Sequence, residues 1–293
     1  MRLRDLGRPI LFLSLLLLAL VLALAAACGD DDDEDTGDDG GNGGGTVDIS
    51  GVAELEDGEL LIGSDIAYPP IESFEEGTDK PVGLDIDIAQ ALAAELGVDV
   101  KFEQVADFAG IVGDLKSERY DIVMSAISIT PEREAEIDFI PYFGPVGTGI
   151  LTPSGNPNGF AALEDLCGYT VAAQVGTYQV EQMDALNADA CKDNKIDIQT
   201  FPDNPAAVQE LILGRVDAEL ADDPVAAYSA LQSDGKIEVA ATGFESARYG
   251  IGVRKDSTAL NTALSEALTA IVQSGKYLEI LQEWGQEEFR LQG

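Results

Sequence analysis

Histidine is absent from the 293 residues. That absence removes His-based catalytic triads, His metal ligands and the commonest general base. Cysteine occurs three times, so position matters more than number. Cations are scarce as well: 17 Lys and Arg face 54 Asp and Glu, a formal net charge of −37. Such a surface repels nucleic acid and anionic membrane, favours solubility and says nothing about fold. Long apolar runs are confined to one N-terminal stretch. The chain is nevertheless 45% apolar and 24% charged, the balance of a globular protein and not a disordered one. Its length allows one or two domains with a sizeable core.

Arg2, Arg4 and Arg8 open the chain, and Ile10 to Ala27 is apolar except for Ser14. Ala25-Ala-Ala-Cys28 follows, and the sequence then turns abruptly acidic. This is the plan of a secretory signal peptide over residues 1–27. It resembles a bacterial lipoprotein signal, in which Cys28 would carry the lipid, although Ala25 stands where such signals usually have Leu. The alternative is an uncleaved transmembrane anchor, since the run reaches the lower limit for a span. Either way the rest of the chain lies outside the cytoplasmic membrane. Asp30 to Gly45 is rich in Asp and Gly with no apolar periodicity, and residues 28–58 read as a self-repelling tether.

The most informative stretch lies between Tyr120 and Arg133. Tyr120-Asp-Ile-Val-Met124 reads as a buried strand that stops at Ser125-Ala-Ile-Ser128. Thr130 is then a helix N-cap, Pro131 suits the first helical position and Glu132 the first turn. Arg133 suits that turn badly, because a cation opposes the positive end of the helix dipole. Two readings follow. Arg133 reaches an anion beside the strand end and forms a carboxylate cradle with the hydroxyls, or it pairs on the surface with Glu134 or Glu136.

Around this stretch the pattern is strand, helix, strand, helix, strand. Glu59 to Ser64 is a strand, followed by Asp65-Ile-Ala-Tyr-Pro-Pro-Ile71, whose prolines hold Tyr68 in an extended loop. Leu84, Ile88, Leu92 and Leu96 mark a helix that Gly97 can end. Val98, Val100 and Phe102 alternate as in a strand, and Asp107 can cap a helix with Phe108, Ile111, Val112 and Leu115 on its apolar face. This is a parallel α/β unit, in which ligands sit beyond the carboxyl ends of the strands, where Asp65, Ser125 and Ser128 fall.

The second half repeats the style. Thr170 to Ala173 is a strand, and Gln174-Val-Gly-Thr177-Tyr178 opens a helix bearing Val180, Met183 and Leu186. A Gly-Thr pair at such a junction presents backbone N–H groups suited to a carboxylate. Ile196 to Phe201 is a strand, Ala206 to Leu213 a helix, Val216 to Ala221 a strand, and Pro224 enters the next helix. Ile150 to Thr152 and Arg248 to Val253 read as crossover strands, the second with glycines placed for bending. Leu260, Leu264, Leu268 and Ile271 mark a long helix, and Lys276 to Trp284 another, with Trp284 as packing. Cys167 and Cys191 flank the Gln174 unit. In an exported protein they pair as a disulfide; the alternative is two free buried thiols.

Asp65-Ile-Ala-Tyr-Pro-Pro-Ile71, Gly83-Leu-Asp-Ile-Asp-Ile-Ala-Gln90 and the run from Tyr120 to Phe143 resemble the extracellular solute-binding proteins of bacterial family 3, the polar amino-acid receptors of ABC importers. The resemblance extends from about Leu60 to the C-terminus. It implies an α/β fold of two lobes (type II periplasmic-binding-protein-like), each a mostly parallel sheet flanked by helices, joined by two hinge strands. Residues 59–149 and 248–293 would form the first lobe and 150–247 the second, closing over a ligand in the cleft. It further implies that Arg133 holds the ligand carboxylate, that Ser125, Ala126 and Ser128 complete the cradle, and that Tyr68 and Phe108 wall the side chain. Asp65 would meet a polar or cationic tip, Gln174, Thr177 and Tyr178 would close from the second lobe, and Asp222 would bind the α-ammonium. Tyr178 replaces a Thr usual in the family. Four of these residues have a plainer alternative: core for Phe108, loop packing for Tyr68, a cap or turn for Asp65, and a helix cap for Asp222, with Asp223 better placed for that.

The function expected is the substrate-binding component of an ABC amino-acid importer, with no cofactor, no metal and no catalysis. It would be an exported monomer, lipid-anchored on the outer face of the cell membrane or periplasmic, partnered by a permease. The alternatives are a dehydratase or lyase on the same fold, which would need a carboxylate, Tyr68 or a lysine as general acid or base, and the sensing subunit of a receptor.

Overall fold

The structure is a computed structural model and describes residues 45–291. The signal segment 1–27, Cys28 and the Asp/Gly run up to Gly44 lie outside the described residues. Among the described residues no helix is long and apolar enough to cross a membrane.

The strands and helices alternate as the periodicity predicts. In chain order they are β1 (Glu59–Ser64), the short hairpin β2 (Ser73–Phe74) and β3 (Pro81–Val82), α1 (Leu84–Leu96) and β4 (Asp99–Gln104). Then come α2 (Ile111–Lys116), β5 (Ile122–Val123), α3 (Pro131–Glu136) and the long β6 (Asp138–Pro153). The chain continues through β7 (Thr170–Gln174), α4 (Tyr178–Ala188), β8 (Asp197–Phe201), α5 (Asn204–Ile212), β9 (Ala218–Asp222) and α6 (Asp223–Gln232). It returns by the long β10 (Ile237–Val253) to α7 (Thr258–Ser274) and α8 (Lys276–Glu283).

One sheet runs β4-β1-β5-β10-β6-β9-β7-β8. Its two ends are built alike. β1 lies parallel to β4 and β5, and β7 parallel to β8 and β9. β10 closes the first set against β5, and β6 closes the second against β9, both antiparallel. The long strands β6 and β10 pair with one another from Asp138–Val253 to Pro153–Ile237, with register shifts between Val239 and Gly250. The fold is therefore two α/β lobes joined by two strands.

Alternation in the strands sends side chains to helices on both faces. Leu60 and Ile62 of β1 join Leu84, Ile88 and Leu92 of α1 and Leu260, Leu264 and Ile271 of α7 in one core. Val123 meets Ile111, Leu115 and Ile137 on the other face. In the second lobe Val171 and Ala173 pack with Met183 and Leu220, while Ala172 packs with Val208 and Leu211.

Four local features differ from the sequence reading. Residues 45–58, grouped with the tether, pack on the first lobe: Val52 and Leu55 are buried in its core, and Val47 N–H donates to Glu95 O at 3.1 Å. The apolar residues that resume after Gly45 supply that contact. The helix expected from Phe108 begins as a single 3-10 turn over Phe108–Gly110, capped by the Asp107 carboxylate on Ala109 N–H, before α2. Neither Asp222 nor Asp223 caps α6 with its side chain; the Asp223 carboxylate instead accepts from Gly243 N–H of β10 at 3.1 Å. Gly250 and Gly252 have a packing role that the sequence reading did not give them: a Cβ on Gly250 would lie 2.6 Å from Phe139 Cδ1 and one on Gly252 2.7 Å from Val123 Cγ2.

Cys167 and Cys191 form a disulfide with Cα atoms 5.1 Å apart, closing a segment of sequence separation 24 around α4. Closing a loop of this length stabilises by about 3 kcal/mol on the chain-entropy estimate. The double substitution of Cys167 and Cys191 to Ser is expected to lower unfolding stability by that order in urea titration, with the sheet intact by circular dichroism.

Candidate functional site

All eleven residues selected from the sequence converge on one cavity between the lobes. The strand ends deliver them. Asp65 follows β1, Ser125 follows β5, Gln174 ends β7 and Asp222 ends β9.

On the first-lobe side, Thr130 caps α3 by accepting from Arg133 N–H at 3.3 Å, which aims the Arg133 side chain back across the loop. Its Nη1 donates to Ser128 O at 2.8 Å and its Nη2 to Gly176 O, in the second lobe, at 3.0 Å. Glu181 lies 4.0 Å away, and the guanidinium stands over the Phe108 ring at 5.8 Å, within cation–π range. Arg133 therefore faces the cleft, and the surface pairing with Glu134 or Glu136 is not formed. Burial lowers its pKa, opposed by Glu181, Asp222 and Glu132; an arginine stays charged regardless.

Two expected cradle groups are engaged within the protein. Ala126, at φ +47°, donates its N–H to Asp85 Oδ2 at 2.9 Å. Ser125 Oγ accepts from Asp65 N–H at 2.9 Å and donates to Glu72 Oε1 at 2.8 Å. Glu72 was not foreseen. It is fully buried, lines the cavity, and its Oε2 has no hydrogen-bond partner among the described residues.

The second-lobe side approaches closely. Gln174 Nε2 reaches across to Asp65 Oδ2 at 2.7 Å, and Thr177 Oγ1 donates back to Gln174 O at 2.8 Å. Tyr178 starts α4 at the cavity rim, half-buried. Asp222 is held by three donors: Tyr249 Oη at 2.7 Å and Tyr68 Oη at 3.2 Å on Oδ2, and Gln179 Nε2 at 2.8 Å on Oδ1. Gln179 also escaped the sequence reading, although a polar residue in the first turn of a helix opening on the cleft is the pattern that would find it.

Residues 60–287 match the bacterial extracellular solute-binding proteins, family 3. The chain belongs to that family. Among curated relatives, the L-cystine-binding protein TcyJ of Escherichia coli K12 is 28% identical over 229 residues, covering 78% of this chain and 83% of the relative. The arginine-binding protein ArgT of Corynebacterium glutamicum is 31% identical over 235 residues, covering 79% and 75% respectively. Among solved structures, an ancestral arginine-binding protein bound to arginine superposes with a TM-score of 0.72 at 34% identity, covering 78% of this chain and 98% of that one. Each of the three is named as an amino-acid-binding protein.

The family 3 cavity of this chain is acidic. Asp65, Glu72 and Asp222 line it against the single guanidinium of Arg133, and Asp85 stands behind Ala126. Burial raises the pKa of each carboxyl. Asp222 is pushed up to about 6, with Tyr249, Gln179 and Tyr68 pulling the other way. Asp85 is pushed to about 7 against the hydrogen bonds of Tyr142 and Ala126, and Glu219, deep in the second lobe on Asn204, to about 8. Glu72 is raised well above its ordinary value and Asp65 is raised too, by burial first in both cases.

The consequence for stability has a definite sign. These groups bind protons more tightly folded than unfolded, so their contribution is full below about pH 4 and is lost as pH rises through about 6, 7 and 8 in turn. The melting temperature without ligand is therefore expected to fall between about pH 5 and pH 8.5 in differential scanning fluorimetry. Substituting Glu219 by Gln should flatten the upper part of that fall.

Proposed function

We propose that this protein is the substrate-binding component of an ABC amino-acid importer and that its ligand is an α-amino acid with a cationic side chain, arginine foremost. One observation carries the reading: a single guanidinium faces three cavity carboxylates, one of which, Asp222, comes from the other lobe. Arg133 takes the ligand carboxylate by paired hydrogen bonds, helped by the N–H groups at the start of α4, where Thr177 makes no side-chain cap. Asp222 takes the α-ammonium. Asp65 and the unpartnered Glu72 Oε2 take the side-chain cation, flanked by Tyr68 and Phe108. A buried carboxylate needs a cationic partner, and only a dibasic ligand brings enough of them.

The first lobe comprises 59–149 and 248–293 and the second 150–247, with the hinge where β6 and β10 lose register. Closure completes the site, because the anchors come from both lobes. The protein binds without chemistry, a reading supported by relatives that are named for the amino acids they bind. Export, attachment through Cys28, a monomeric state and delivery to a permease complete the proposal.

The relative that binds cystine bears on the side chain. Cystine also offers a distal ammonium to Asp65 and Glu72, but brings a second carboxylate with no second guanidinium to meet it. Calorimetry with arginine, lysine, ornithine, glutamine and cystine tests the proposal. Arginine or lysine is expected to bind at micromolar or tighter; no heat with any amino acid would overturn it.

A further inference from the structure

Tyr249 takes no part in the ligand contacts above. It is fully buried in β10, its ring packed on Phe143 with centroids 5.4 Å apart. Its hydroxyl makes the shortest of the three hydrogen bonds to Asp222, 2.7 Å against 3.2 Å for Tyr68 and 2.8 Å for Gln179. Its backbone neighbours bind the loop on the opposite side of the head-group site: Ile129 N–H donates to Arg248 O at 2.8 Å and Gly250 N–H to Ile127 O at 3.0 Å. Ser128, between those two residues, forms a β-bridge with Tyr249, and its carbonyl accepts from Arg133. One short segment of the returning strand thus fixes the loop under the carboxylate anchor and, through one hydroxyl, the ammonium anchor.

Resting on the proposed amino-acid ligand, we infer that Tyr249 is a positioning residue that couples the two anchors, orienting the Asp222 carboxylate and keeping it ionised to receive the ammonium. The other groups around Asp222 do not replace it. Tyr68 is the more distant hydroxyl and also accepts from Asp222 N–H at 3.1 Å. Gln179 is neutral and shared with Thr148. Asp223 raises the Asp222 pKa, and Asp222 in turn acts on Glu219, Glu72 and Arg133, so the only cation in the set is Arg133. Ammonium binding requires the carboxylate, so affinity has an acid limb where Asp222 protonates. A lost hydroxyl moves that limb to higher pH, because a donor to the charged form has gone.

The test is calorimetric titration of wild type, Tyr249→Phe and Tyr68→Phe with arginine from about pH 5 to pH 8.5, with thermal melts of each. Phenylalanine keeps the ring on Phe143, so the fold is retained. Tyr249→Phe is expected to bind roughly tenfold more weakly at about pH 5 and about twofold more weakly at about pH 7, its acid limb having moved up by about one pH unit, the size of a hydrogen bond to a charged group. Tyr68→Phe should move the limb less. A Tyr249→Phe profile that superimposes on wild type, or one weakened equally at every pH, would overturn the inference and leave the proposed function standing. Failure of the wild type to bind any amino acid would remove the proposed function itself.

Discussion

Asp222→Asn should bind arginine at least about a hundredfold more weakly than the wild type at about pH 7.5, while melting at the same temperature or higher. The two halves of that expectation have one cause. Asp222 is 5% exposed, and burial already lifts its pKa to about 6, so the ligand-free protein bears the penalty of an ionised carboxylate with only neutral donors around it. Asparagine keeps the shape and can still accept from Tyr249 while removing the charge. The fold sheds a buried charge and needs only the Gln179 amide to turn its oxygen toward the new NH₂ group, but the ammonium loses its counter-ion. Truncating one partner of a buried, hydrogen-bonded charge pair costs about 2–5 kcal/mol, or roughly 30- to several thousand-fold in affinity. Calorimetry and a thermal melt on the same sample check both halves; unchanged affinity would mean that Asp222 is not the ammonium anchor.

The second large effect concerns selectivity. The double variant Asp65→Asn, Glu72→Gln should lose about a hundredfold of its preference for arginine over glutamine, mostly through weaker arginine binding. Each carboxylate is buried, and each has spare capacity: Glu72 Oε2 is unpartnered, and the side-chain contact to Asp65 comes from the neutral amide of Gln174. A hydrogen bond between charged groups is worth roughly 1.5–3 kcal/mol, so two lost partners reach the hundredfold range even with incomplete additivity. Head-group contacts are untouched, so glutamine should shift only a few-fold. Equal losses for both ligands would place the two carboxylates in general cavity architecture and not in side-chain recognition.

The sequence made the lobes legible because both kinds of periodicity are strong where the cores are. The four-residue spacing in α1 and the alternation of Val98, Val100 and Phe102 into β4 are read directly from the apolar residues. The position of Arg133 was also legible, since a Thr-Pro-Glu start fixes the helix and a cation in its first turn needs an anion. Asp222 was not visible from pattern alone; the resemblance supplied it, and Asp223 looked like a cap. The fold settles that competition by a contact distant in sequence, the Asp223 carboxylate on Gly243 N–H. Glu72 lay in an aperiodic loop after two prolines, and Tyr249 inside a strand whose alternation reads as ordinary core. The hydroxyl of Tyr249 meets Asp222 because β6 pairs with β10 on one side and with β9 on the other. Local sequence carries no trace of such pairings.

The most direct test of the two-anchor grip uses the wild-type protein with arginine, agmatine, which lacks the carboxylate, and 5-guanidinopentanoic acid, which lacks the ammonium. Titrated by calorimetry at about pH 7.5, arginine should bind, and each analogue should bind at least about a hundredfold more weakly, since each strands one buried charge. Agmatine or the deaminated acid binding as tightly as arginine would contradict a site built on Arg133 and Asp222.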